Sequence, residues 1–299
     1  MTKLDMLNSS DYPALTALAA VLHSGSFEAA ANRLSVTPSA VSQRIKGLED
    51  RLGTVLVLRG TPCTGTETGR RLARHMEEIS LMERQLALDL GQSDKAAPVH
   101  IPLAVNADSL ATWFCAAMAP LEGLLFQLQI DDQDHSADWL KRGKVMAAVS
   151  SRDTPVSGCD LHPLGKLRYL AVATPAFIAR HFPDGLTPDA LSRAPSMIYD
   201  EKDRLPDIWT TARTGRRMSL PTHRIPSTHG FVDAALSGLG WGLNPHQLLE
   251  PHLATGRLAL LSPDPLDIPL YWHVSRLSAA RLADVTEAVK EAAKTCLVQ

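Results

Sequence analysis

The spacing of apolar residues changes character once along this 299-residue chain, and that change limits what it can fold into. Before residue 91, apolar side chains recur at helical intervals. Leu15, Leu18 and Leu22 form one stripe, Val41, Ile45 and Leu48 another, and Leu72, Met76, Ile79, Met82 or Glu83, Leu86 and Leu90 a third. GQSDKAAP (91–98) interrupts the pattern as a linker. Beyond it, short strand-like runs alternate with helical stretches. Strands are expected at Val99–Val105, Leu125–Ile130, Val145–Ser150, Tyr169–Ala173, Ser196–Tyr199 and Gly240–Leu243. Helices are expected at Ser109–Ala119, Ala137–Arg142, Pro175–His181 and Phe231–Ser237. A period near 3.6 requires helices packed on one face, and strand–helix alternation argues a parallel α/β sheet.

Within the first part, SVTPSAVSQRIKGLE (35–49) stands out. Its apolar face is clear, but the opposite face carries Ser39, Ser42, Gln43 and Lys46, which serve neither a core nor a lattice of opposed charges. Gly25 stops the preceding helix and Ser26 caps a short second one through Leu34, with Glu28 in its first turn. Ala29, Ala30 and Ala31 allow that helix to pack closely. Ser35 and Val36 make a tight junction, Thr37 is an N-cap, and Pro38 sits where its missing N–H costs nothing. Helix, short turn, helix is the geometry that sets a second helix into the DNA major groove. An ordinary helical subdomain has the same pattern. Thr37, Pro38, Ser39, Ser42 and Gln43 are the candidates for meeting DNA at the groove, Gln43 because its amide can bridge adenine, and Arg44 and Lys46 suit phosphates.

Thr54 to Leu58, a break at Arg59-Gly60-Thr61-Pro62, and Thr64-Gly65-Thr66 read as a β-hairpin wing, with Arg59 aimed at the DNA backbone. Thr66 then caps a long helix whose near-heptad spacing fits dimerisation or packing on its own domain. Residues 33–74 hold eight Lys or Arg against three acids, although the whole chain has a formal net charge of -2. A basic segment on an otherwise acidic chain suits nucleic acid or a solvated face.

Other chemistries lack their signatures. The four cysteines, Cys63, Cys115, Cys159 and Cys296, are far apart, and neither they nor the histidines show metal-ligand spacing. GLGWGL (238–243) follows a helix and enters a strand, the reverse of a dinucleotide loop. Asp131, Asp132 and Asp134 lack the spacing of a calcium loop. No phosphate-binding or nucleophile-elbow motif occurs. No apolar stretch suits a signal peptide or membrane span. The expectation is a cytoplasmic protein, not an enzyme, without cofactor, metal or membrane partner.

SGSFEAAANRLSVTPSAVSQRIKGLEDRLG, Arg59 and TETG resemble the LysR-type transcriptional regulators. LAVNADSLATW, LKRGKVMAAVS, HFPDGLTPDAL and LYWH resemble the ArgP/LysG branch of that family, which responds to lysine and arginine. Pro38 stands where that branch usually has Gln, and Thr64 where its wing usually has Arg, so each loses a potential DNA contact. The resemblance implies a winged helix-turn-helix (1–65), a linker and dimerisation helix (66–90), and two hinged Rossmann-like subdomains like those of a periplasmic binding protein, I (98–168 and 271–299) and II (169–270). It implies operator DNA and RNA polymerase as partners, a homodimer or homotetramer, and activation of exporter or metabolic genes when lysine or arginine accumulates.

Such a fold binds ligands at strand ends between its halves. Asn106, Asp108 and Ser109 open a helix after a strand, where a carboxylate meets free N–H groups and Asp108 can pair with an ammonium or merely cap the helix. Ser150 ends another strand and Thr228 opens a helix in the second half. Asp200 follows a strand and suits a cationic side chain or a solvated loop. The remaining alternatives are a LysR-type regulator of another metabolite and an α/β solute-binding or enzymatic protein with a helical appendage.

Overall fold

A computed structural model describes residues 11–89, 99–131 and 136–299. The linker at 91–98, Leu90, Asp132 and Asp134 lie outside the described residues. The chain divides into two compact units, the first holding residues 1–101 with 123–125 and 142–144, the second the rest.

The first unit opens with α1 (Tyr12–Ser24), α2 (Phe27–Arg33) and α3 (Pro38–Leu52). Each boundary has a local cause. Gly25 ends α1 in the left-handed conformation, φ 67°, and a Cβ there would come within 2.8 Å of Pro62 Cβ. Ser26 Oγ accepts from Ala29 N–H and Thr37 Oγ1 from Ala40 N–H, so both expected caps are made. The tight junction holds Ser35 at φ 54°, which few residues other than glycine adopt. Leu15, Leu18, Val41, Ile45 and Leu48 are buried together with Ala30 and Ala31. Ala29 is exposed, so close packing of α2 rests on two alanines and not three.

β1 (Val57–Leu58) and β2 (Thr64–Gly65) form the antiparallel wing. Glu49, at the end of α3, pins its base: Oε1 accepts from the N–H groups of Leu56 (2.7 Å) and Val57 (3.2 Å). α4 (Glu67–Asp89) starts with Thr66 Oγ1 accepting from Gly69 N–H. Gly69 lies against the wing, where a Cβ would sit 2.0 Å from the Leu56 carbonyl oxygen. The stripe on α4 does two things. Met76 is buried in the helix-turn-helix core and Leu72 and Ile79 pack against it. Met82 and Leu86 are 47% and 58% exposed.

The second unit is built on one mixed sheet, order β10-β6-β11-β5-β3-β4, with β9 also on β6. Its strands are β3 (Val99–Asn106), β4 (Leu124–Asp131), β5 (Ala147–Ser150), β6 (Cys159–Ala173), β9 (Gly242–Pro245), β10 (Ala259–Leu260) and β11 (Leu266–Ser275). β3 and β5 run parallel, as expected of strands joined through helices. The sheet is not parallel throughout as expected, because β6 and β11 cross it antiparallel to each other from Cys159–Ser275 to Tyr169–Leu266. β6 begins ten residues before the expected strand at Tyr169, because its first part pairs with β11 and Tyr169 to Val172 pair with β9. A separate pair, β7 (Ser196–Ile198) and β8 (Thr222–Arg224), runs parallel, and Ser196 bridges to Trp241 just ahead of β9.

The helices are α5 (Ala107–Thr112), α6 (Phe114–Met118), α7 (Ser136–Lys141), α8 (Pro175–His181), α9 (Pro188–Arg193), α10 (Leu205–Thr214), α11 (Thr228–Leu236), α12 (His246–Ala254) and α13 (Ala283–Cys296). The single helix expected at 109–119 is thus broken at Trp113. Its indole is buried edge-on to Phe114, centroids 5.5 Å apart, and the backbone yields to that packing. α8 matches its expected bounds, and Thr174 Oγ1 caps it.

Candidate functional sites

The first site is the outer face of α3. Ser39, Gln43, Arg44 and Lys46 are exposed and Ser42 partly so, opposite the buried Val41, Ile45 and Leu48. Thr37 and Pro38 are exposed at the helix start. Arg59 on the wing lies beside this face. Its Nη2 donates to Ser42 Oγ (3.3 Å) and its guanidinium lies 5.1 Å from the centroid of the Phe27 ring. The eight expected DNA-facing residues are therefore all on α3, its cap or the adjoining wing.

The second site is in the α/β unit. A cavity of about 20 Å³ is lined by Asp108, Tyr199, Asp203, Thr228, Asn244 and neighbouring apolar groups. Asp108 retains some exposed surface, but protein surrounds its carboxylate. Tyr169 Oη donates to Oδ2 (2.7 Å) and Thr228 Oγ1 to Oδ1 (2.8 Å). Burial pushes the Asp108 pKa up and these two hydrogen bonds oppose the shift. The adjoining Tyr169 phenol is pushed well up by burial and by the Asp108 charge.

Asn244 has no exposed surface, and neither its amide Nδ2 nor Oδ1 has a hydrogen-bond partner. Such atoms cost on the order of 1–3 kcal/mol each unless something meets them. Ser109 Oγ and Asn106 Oδ1, beside Asp108 at the start of α5, are likewise buried without a partner. A larger hollow of about 500 Å³ in the first unit is lined by α1, α4, Arg33, Leu34, Val99 and His100. Among the described residues, none of its lining side chains has a buried partnerless polar atom. Of these two hollows, the small one is the one lined by a buried polar side chain without a partner, Asn244.

Of the residues singled out from sequence, Asp108 and Thr228 line this cavity, with Asn106 and Ser109 next to Asp108. Ser150 is buried and its Oγ accepts from Arg152 N–H, so it shapes its own loop. Asp200 closes a turn, Oδ1 accepting from the N–H groups of Lys202 (2.8 Å) and Asp203 (3.0 Å). It is Asp203, three residues on, that lines the cavity. Sequence reasoning also missed Tyr169, Tyr199 and Asn244. A signal existed for one of the missed residues. An Asn in the otherwise apolar run GLGWGLNP is a buried polar group in need of a partner.

With both geometries in view, comparison with known proteins decides the family. The profile described as "LysR substrate binding domain" matches residues 109–295. The one described as "Bacterial regulatory helix-turn-helix protein, lysR family" matches residues 13–70. The chain belongs to the LysR family of transcriptional regulators. It is a regulator and not an enzyme, and its helix-turn-helix binds DNA. The chain is 45% identical to the regulator LysG of Mycobacterium tuberculosis H37Rv, over 95% of this chain and 93% of that one. Among solved structures it is similar to ArgP from Mycobacterium tuberculosis, TM-score 0.76 at 45% identity, covering 96% of this chain and 98% of that one. It is also similar to full-length LysG from Corynebacterium glutamicum with bound effector Arg, TM-score 0.67 at 35% identity, covering 98% and 100%. No described helix of this LysR-family chain is long and apolar enough to cross a membrane.

The raised Asp108 pKa has a testable consequence for the ligand-free protein. Its contribution to stability is fully present below the ordinary Asp value of 3.8, where both states are protonated. It falls as pH rises above that value and is lost once pH passes the folded pKa, because the folded state then holds a buried charge. Asp108→Asn is neutral throughout. It should therefore melt above wild type at about pH 8, with the difference shrinking towards about pH 4 in thermal unfolding scans. A variant that melts lower at the higher pH means that the hydrogen bonds outweigh burial.

Proposed function

We propose that this LysR-family regulator responds to a basic amino acid, arginine or lysine, bound at Asp108. The observation that carries the reading is the pairing, in one cavity, of a desolvated carboxylate with the partnerless amide of Asn244. A zwitterionic amino acid answers both. Its ammonium pairs with Asp108, and its carboxylate takes N–H or O–H from Asn244 and Ser109. Arginine as effector of the Corynebacterium glutamicum relative supports the choice of ligand.

A cavity of about 20 Å³ holds little more than one water, so an amino acid enters only if the walls part. We divide the α/β part into subdomain I (98–168 and 271–299) and subdomain II (169–270). Asp108 of I bonds to Tyr169 and Thr228 of II, so the ligand's ammonium competes with contacts that hold the halves together. Different affinities for the two arrangements are what allow a ligand to act on DNA at all.

Calorimetric titration of the full-length protein checks this reading. Arginine and lysine should bind and leucine should not. Asp108→Ala should cost about 2–5 kcal/mol in affinity, as for a charge left unpaired in a closed site. Asp108 does not cap α5, whose N-cap position is Asn106, and its carboxylate instead meets Tyr169 and Thr228; if that is its whole role, Asp108→Ala leaves affinity unchanged. No heat with arginine or lysine leaves a LysR-family regulator of a different effector.

The same reading assigns base recognition to Gln43 and phosphate contact to Lys46 and Arg59. Gln43→Ala should lose about 1–3 kcal/mol on the operator and little on random duplex. Lys46→Ala should weaken both alike and reduce the salt slope by about one. Equal losses on both duplexes from Gln43→Ala would remove its role in base reading.

We further propose that α4 pairs two chains, so that two α3 helices meet half-sites roughly one helical turn or a multiple apart. Met82 and Leu86 are the exposed members of the stripe. Changing both to Asp should yield monomers in sedimentation with the helix-turn-helix still folded. Leu72→Asp instead strikes the helix-turn-helix core. An intact dimer with Met82 and Leu86 both replaced moves the interface off this face.

A further inference from the structure

The geometry points to Asp203 as the residue that selects a cationic side chain on the effector, a role that rests on the amino-acid reading of the Asp108 cavity. Asp203 and Asp108 line the same cavity from different elements, Asp203 from the turn before α10 and Asp108 from the start of α5. One ammonium answers one carboxylate. A neutral amino acid therefore leaves the second acid unmatched in a closed space, whereas a basic one supplies a second positive charge. The two acids do not stand alone as evidence of a ligand. Asn244, with no exposed surface and no partner for either amide atom, lines the cavity between the same walls.

The local structure fixes where Asp203 points. Its Oδ2 accepts from Tyr199 N–H (2.8 Å) and its Oδ1 from Leu205 N–H (2.9 Å). Each oxygen spends one lone pair on backbone and keeps another for a ligand. Those two bonds hold the carboxylate in one orientation, as a group meant to meet a guanidinium or ammonium must be held. Burial and the nearby charges of Asp108 and Asp200 both push its pKa up, and the two backbone donors oppose them. An incoming cation relieves that repulsion. Asp200 differs in that it does not line the cavity.

Arginine and citrulline separate charge from shape, since citrulline is the neutral isostere. Their affinities are to be measured by calorimetry on full-length wild type, Asp203→Asn and Asp200→Asn. Wild type and Asp200→Asn should prefer arginine. Asp203→Asn should lose roughly 30-fold or more of arginine affinity while citrulline binding holds, so the preference collapses. A purely structural role would weaken both ligands alike, and an unchanged preference in Asp203→Asn would overturn the assignment. Asp203→Ser, which can still accept from Leu205 N–H, gives the same comparison should the Asn variant fail to fold. If wild type binds neither ligand, the amino-acid reading falls and this assignment with it. If wild type binds arginine but Asp203→Asn keeps its preference, only this assignment falls.

Discussion

The antiparallel pairing of β6 with β11 is the constraint on which the α/β part depends. The two strands run side by side over ten registered pairs, with a shift between Leu270 and Tyr271. On one side of that shift β11 pairs with β5, and on the other β6 turns to β9. Two groups of elements thereby share one continuous sheet. Tyr169 sits where β6 changes partner, which is why its phenol reaches Asp108 at the start of α5.

What the crossing positions is an electrostatic deficit. Asp108 and Asp203 face a small space, both with pKa values pushed up by burial, and Asn244 lies there with its amide unmet. A fold optimised only for stability replaces such groups with apolar ones. Their retention costs stability in the ligand-free protein, a cost that the proposed basic amino acid would offset. Tyr169 and Thr228 both donate to the Asp108 carboxylate.

The helix-turn-helix follows the opposite logic. Backbone N–H groups at its helix starts and wing are met locally by caps at Ser26, Thr37 and Thr66, and by the Glu49 clamp. The face of α3 that remains exposed is the one that buried apolar residues do not need. Arg59, held by Ser42 and Phe27, joins the wing to that face, so the wing and α3 form one surface.

The sequence by itself determined whatever depends on neighbours a few residues away. The caps at Ser26, Thr37 and Thr66, the stop at Gly25, the wing, the apolar face of α3 and the bounds of α8 were all legible, because helix period, turn chemistry and capping act over one or two turns. Asp108 and Thr228 were legible as residues of the first turn of a helix, Asp108 after an expected strand. Tertiary structure alone decided the rest. Which half of the α4 stripe is covered depends on α1, which packs over Leu72, Met76 and Ile79 and leaves Met82 and Leu86 bare. The break at Trp113 comes from an indole finding room in the core. Asp203 and not Asp200 lines the cavity, although both carboxylates accept backbone N–H groups of the turn, and Asn244 joins Asp108 only because β9 lies on β6 beside Tyr169. The cover over α4 and the meeting of Asn244 with Asp108 join residues tens of positions apart, set by packing and pairing register.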